Sequence, residues 1–327
     1  MRRMAKERIP VLDYWIAILM ILVILGHFSF PFAPPWYEKW HAWLYSFHMG
    51  AFFFASGYLV KYTYKELTSW SDYFWYIGKK LIKFGIPFLF FGISLTIFAI
   101  WRKGGSGADY GAALQKLFMD PMSSQVLYLW FIYVLFFYYV LAPVFCQFVP
   151  VGLVFGGIAG LALSYFSLPR LFAIHCFSRY LIFFVSGILI CTFQKHVSRL
   201  PSWLAWGAVP CFILCSMPPG EVLYLYSCML SLPCLYLLCL FLARGEWLRN
   251  IAELISKNCF SIYLLQMIFI HVLALLFIKL PKNDWTYLSF MVSGLFVSIS
   301  GSVLVQRLFA KITNCLSRKN ETCESRG

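Results

Sequence analysis

The sequence predicts an all-α polytopic membrane bundle of about ten transmembrane helices, with both termini on the cytoplasmic side. Three observations carry this. Hydrophobic residues make up 61% of the 327 and charged residues only 12%, about half the charged share of a soluble domain. Mean hydropathy is +0.75. Apolar runs of roughly 20 residues, the length that crosses a hydrocarbon core, recur between short polar breaks.

Those runs lie at 11–29, 41–61, 81–101, 125–148, 150–168, 172–193, 202–217, 221–243, 258–279 and 285–308. Helices are the expected form, because a backbone in lipid must satisfy its own hydrogen bonds. The Pro-rich FPFAPPW and the stretch 102–124 are the clearest loops. The basic start and apolar run of MRRMAKERIPVLDYWIAILMILVILGH resemble a signal peptide, but no small-residue cleavage site follows, so an uncleaved first span is expected. With that start inside, nineteen Lys and Arg fall on the inner side and seven on the outer, as the positive-inside rule requires. The single domain is expected to run 1–327 with no soluble domain appended.

The net charge of +14 does not mark a nucleic-acid binder, since the basic residues are scattered between spans. Most of the eleven cysteines sit inside spans with no C-x-x-C pair, and read as small packing residues. The six histidines lack carboxylate or thiolate partners at ligand spacing, so no metal is expected.

Polar groups inside the spans are the functional signal, because lipid makes them costly. His27 ends the first run, and His48 opens FHMGAFFFASGYLV, where Ser56 is the other polar side chain. Arg179 lies in HCFSRYLIFF, about as deep below the outer surface as His48, on the order of 10 Å by helical rise. The expectation is that His27, His48 and Arg179 converge on one cavity near the outer face; His27 also reads as an interfacial histidine touching water, and His48 as a hydrogen bond to a neighbouring helix. No carboxylate stands in the outer half of a span, so Arg179 must use backbone carbonyls or a ligand anion, the ligand being the favoured partner. Lys79, Lys80 and Lys83 share one helix face before Pro87, which is expected to stop that helix. They read either as positive-inside anchors or as a seat for a phosphorylated cofactor. Trp130 reads as a sugar-stacking floor or as an interfacial aromatic.

With these residues in view, the chain resembles the family-3 membrane acyltransferases, in particular the fucose 4-O-acetylase-like group. The family's D-x-x-[RK]…H, with fourteen residues from acid to histidine, is similar to Asp13 and His27. Its FHMPLFFFLSGYL is similar to FHMGAFFFASGYL; its LWFL to LYLWFIYVLFFYYVLAPVF around Trp130; its R…FFxxG to RYLIFFVSG; and its S-IYLLH to SIYLLQ. The order is kept over nearly the whole chain. Three positions depart: the basic residue after the acid is Ile16, the late histidine is Gln266, and a proline is Gly50.

The resemblance implies an O-acyltransferase of the bacterial cytoplasmic membrane. It would take acetyl-CoA (acyl-CoA) as co-substrate and acetylate a sugar hydroxyl of a cell-surface or exported polysaccharide. Its catalytic set would be His27, His48, Arg179 and Asp13; Lys79, Lys80 and Lys83 would bind the cofactor, and Trp130 and Ser56 the acceptor. Arg179 would stabilise the oxyanion. Membrane lipid, a glycan, a second copy and glycan-assembly machinery are the implied partners. Two other readings stand beside it: a catalytically degenerate relative acting as a partner subunit, suggested by Ile16 and Gln266, and a transporter of lipid-linked sugar.

Overall fold

The computed structural model describes residues 8–149, 152–159, 168–197, 202–215 and 221–324. Among these the chain is helical and no strand occurs. Its longer α-helices are α1 (Pro10–Gly26), α2 (Pro35–Tyr45), α3 (His48–Thr63), α4 (Trp70–Lys80), α5 (Ile86–Arg102), α6 (Gly107–Met119), α7 (Trp130–Gln147), α8 (Ile174–Thr192), α9 (Ser202–Cys215), α10 (Glu221–Leu242), α11 (Arg249–Phe277) and α12 (Asp284–Glu324).

Five stretches are long and apolar enough to cross a membrane: Trp70–Arg102, Leu127–Gln147, Leu171–Thr192, Arg249–Phe277 and Asp284–Lys311. Pro10–Gly26 and Tyr226–Leu242 are shorter apolar helices. These account for seven of the ten expected runs. The run 150–168 is described only as a π-helix over Gly152–Ala159, and its remainder lies outside the described residues. The run 202–217 is described as α9, Ser202–Cys215.

Three expectations change. The run 41–61 is two helices, broken at Ser46 and Phe47. At the break Ser46 Oγ donates to the Trp43 carbonyl at 2.7 Å, a side-chain bond that competes with helix continuation. The 102–124 loop contains α6, started by Ser106, whose backbone N–H and hydroxyl donate to Asp109 Oδ2 at 2.6 and 2.8 Å. The Ser106 bonds hold the Asp109 carboxyl below its usual range. Pro87 does not stop its helix. Leu81–Gly85 opens into a π turn instead, so the proline, which has no N–H to give and crowds the carbonyl four residues back, is absorbed and the rod continues into α5.

The chain divides into two compact units. One takes in Met1–His48 and Trp203–Gly327, the other Met49–Ser202.

In the first unit, α1 runs parallel to α11. Asp13 and Ala252 line one cleft, and Cys259 Sγ lies 3.6 Å from Met20 Sδ. The buried face of α1 is Tyr14, Trp15, Ala17, Leu19, Met20, Val23, Ile24 and Gly26. Helices α11 and α12 form an antiparallel pair, with Phe277 and Phe290 rings 5.0 Å apart near the connection.

In the second unit, α3 and α8 cross at two glycines. A Cβ on Gly57 would strike the Phe184 carbonyl, and one on Gly187 the Phe54 carbonyl. Two backbones can meet this closely only where side chains are missing, the packing mode membrane helices favour. Around the crossing, Phe53 packs against Phe131, Tyr138 and Tyr180 at 4.8–5.1 Å. Lys61 Nζ donates to the Cys146 carbonyl at 2.7 Å, satisfying the C-terminal end of α7.

Gly57→Val and Gly187→Val are expected to destabilise the protein by at least about 1–3 kcal/mol, read as a lowered detergent melting temperature and yield. Gly78→Ala in α4, where a Cβ meets nothing within 4 Å, is expected to hold or gain stability by about 1 kcal/mol.

Candidate active site

The site grows out of the C-terminal end of α1. That helix ends in an apolar layer with no basic residue in its last turn, so its orphan carbonyls need other donors. Tyrosines provide them. Tyr37 Oη donates to the Leu25 carbonyl at 2.9 Å and accepts from Phe28 N–H at 3.0 Å. Tyr45 Oη reaches the Gly26 carbonyl at 3.4 Å, and Tyr287 Oη the Phe28 carbonyl at 2.6 Å. Burial pushes the Tyr37 phenol well above its ordinary range, so it remains a donor. Trp36 Nε1 donates to Asp284 Oδ1 at 2.9 Å, tying α2 to the start of α12.

His27 is the residue this scaffold holds. Its amide turns back to Ile24 O at 3.0 Å, which leaves the Val23 carbonyl for the ring, and Nδ1 lies 2.7 Å from it. A carbonyl only accepts, so Nδ1 carries the proton and Nε2 is the basic nitrogen. His48 repeats the device. It follows the break between α2 and α3, is 2% exposed, and sets Nδ1 2.8 Å from the Leu44 carbonyl. The break is pinned to α10: Ser46 Oγ lies 3.1 Å from Ser227 Oγ, and Cys228 Sγ donates to the Phe47 carbonyl at 3.2 Å.

The two imidazoles are electrostatic neighbours, and His41 acts on both. The Tyr45 ring lies between His41 and His48, with centroids at 4.1 and 4.6 Å. His271 of α11 is a further neighbour of His27; its Nδ1 lies 2.7 Å from Met267 O, and its ring 5.6 Å from Phe30. Three consecutive segments and the distant α11 thus gather four imidazoles. Among the described residues no group of three or more His, Cys, Asp or Glu is placed to hold a metal ion.

Asp13 belongs to the other end of α1, about 20 Å from His27 by helical rise. Arg8 clamps it through Nη2 to Oδ1 at 2.5 Å and Nε to Oδ2 at 3.1 Å. These residues, with Tyr14, Arg249 and Glu253, line a small open cleft. A cation therefore does stand beside Asp13, supplied by Arg8.

The second unit carries the remaining candidates. Arg179 precedes Tyr180 on α8, and the Tyr180 ring stacks on Trp130 at 5.4 Å and 29°. Ser56 is buried on α3. Lys79 Nζ sits over the Trp75 ring, and Lys80 Nζ lies 4.4 Å from the Tyr139 centroid; Lys83 Nζ lies 5.1 Å from that of Phe84.

Sequence reasoning missed His41 and His271 as members of the cluster, because only folding brings α2 and α11 beside α1. It also missed a group at the start of α8. Phe172 and Ala173 take left-handed backbone, at φ 53° and 55°, a strained conformation for side-chain-bearing residues. Just beyond, Cys176 Sγ lies 3.2 Å from His175 Nε2, and Asp120, Arg170 and Arg179 act electrostatically on His175. A carboxylate thus does accompany this region, from the stretch expected to be loop. The HC pair was the visible signal.

Residues 9–307 match a family profile described as an acyltransferase domain, that of acyltransferase family 3. No curated protein and no solved structure gives a match.

Histidine-selective nitrogen NMR of the protein in micelles is expected to find His27 and His48 in the Nδ1–H tautomer; an Nε2–H tautomer at either would contradict the ring placements.

Proposed function

The chain belongs to acyltransferase family 3, and from that premise we propose that it moves an acetyl group from acetyl-CoA to a sugar hydroxyl of a cell-surface or exported polysaccharide. Its setting in this reading is a bacterial cytoplasmic membrane, with both termini in the cytoplasm. The observation that supports the reading best is the His27 ring, its Nδ1 tied to the Val23 carbonyl at 2.7 Å.

A sugar hydroxyl is a weak nucleophile, so a base must take its proton as it attacks. His27 Nε2 takes that proton while the hydroxyl oxygen bonds to the thioester carbonyl carbon. The tetrahedral intermediate collapses, the C–S bond breaks, and His27 returns the proton to the leaving thiolate. The products are the sugar ester and free CoA, and the histidine ends as it began. His48, locked by Leu44 in the same tautomer, orients the acceptor beside it. The aromatic-backed lysines Lys79, Lys80 and Lys83 suit the phosphates of the donor. Trp130, backed by Tyr180, offers a face on which a sugar ring can stack.

Membranes carrying His27→Ala are expected to lose acetyl transfer by about 10²–10⁴-fold at unchanged protein level, and the envelope glycans to lose one acetyl increment by mass spectrometry. Full transfer by the variant would contradict the base assignment. Glycan export without acetyl-CoA consumption would favour a transporter, and an inactive natural chain that gains transfer with Ile16→Arg would favour a degenerate relative.

A further inference from the structure

Gln266 is the most isolated polar side chain among the described residues of the first unit. It is fully buried on α11, at 0% exposure, and neither amide atom has a hydrogen-bond partner among those residues. A buried amide left so is destabilising, and one that persists calls for an explanation.

The helix register says what it faces. Helices α1 and α11 are parallel. Asp13 and Ala252 line one cleft, and seven residues on, Cys259 Sγ lies 3.6 Å from Met20 Sδ. Seven residues are close to two turns and return to nearly the same face. By that register the next step brings His27, just past the end of α1, to the level of Gln266.

The wall behind is also polar. On α12 a Cβ at Gly294 would meet Leu273 and one at Gly301 would meet Phe269, three residues from Gln266. Ser298 and Ser302 share that glycine-bearing face by helical spacing. Both are 0% exposed, and both hydroxyls lack a partner among the described residues. Partnerless polar atoms on two helices at one level mark a place for a neutral hydrogen-bonding ligand group.

Resting on the acyl-transfer reading, we propose that Gln266 is a catalytic residue, its amide N–H donating to the acyl carbonyl oxygen as that oxygen takes up charge. The amide exchanges no proton. The hydroxyl proton still goes to His27 and then to the thiolate, so the bonds made and broken are unchanged. Gln266 takes the task that the sequence alone gives to Arg179, and it supplies the donor from the unit that holds His27. The Ser298 and Ser302 hydroxyls are further donors for the same carbonyl oxygen.

The test is Gln266→Met in the full chain, close in size and without the amide, compared with wild type for turnover of acetyl-CoA and for melting temperature in detergent. Turnover is expected to fall by about 10²–10³-fold, as when an oxyanion donor is removed, while melting holds or rises. Wild-type turnover in Gln266→Met overturns the assignment and leaves His27 untouched. A joint loss of turnover and melting temperature also overturns it, because it shows a packing role. Should the wild-type protein transfer no acyl group, the acyl-transfer reading falls first. The melting arm then decides alone: a lower value in Gln266→Met marks the amide as structural, and an equal or higher one marks it as held for a ligand.

Discussion

Backbone carbonyls at helix ends need donors, and in an apolar layer water does not supply them. The site end of the first unit is organised by that requirement. Val23, Leu25, Gly26, Phe28 and Leu44 turn their carbonyls to the rings of His27, Tyr37, Tyr45, Tyr287 and His48. The tyrosines fix the path of the chain after α1. The histidines, in answering the same need, have their tautomer chosen for them, and the nitrogen turned away from the carbonyl is the one that accepts protons. A backbone carbonyl thus does the orienting of each imidazole, which distinguishes the arrangement from triads built on an acidic third member.

The second unit answers a different constraint. Where α3 and α8 cross, the carbonyl of each helix occupies the space a side chain would fill on the other. Packing this close between helices depends on small residues, because lipid offers no hydrophobic force to drive association. The SGY of the α3 signature is therefore structural at its glycine: Gly57 is needed for the crossing. The signature's histidine, at the start of the same helix, belongs to the imidazole cluster. One motif carries both tasks.

Much of the fold was legible in the sequence, for the reason that lipid imposes length and apolarity on a span. The runs at 81–101, 125–148, 172–193, 258–279 and 285–308 all fall on long apolar helices. Hydropathy alone did not show the break at Ser46 and Phe47, which turns on a side-chain hydroxyl. It did not show α6 either, although the Ser106 and Asp109 spacing was there to be read as a cap. Pro87 misled, because a π turn accommodates it. Of the site, His27 and His48 were found as expensive polar residues in apolar runs, and the structure makes them neighbours. His41 and His271 were not, since their relevance comes from the packing of α2 and α11. Gln266 could be read only as a departure from a family pattern; its burial and its lack of partners are properties of the fold.

The central claim is that the His27 imidazole is the proton acceptor. It is tested most directly by the pH dependence of kcat/KM for acyl transfer, measured in wild type and in the residual activity of His27→Ala. The account predicts that the wild-type rate rises through one imidazole titration as pH increases, and that this limb is missing from the variant. The same limb in both proteins would show that another group takes the proton, and would contradict the account.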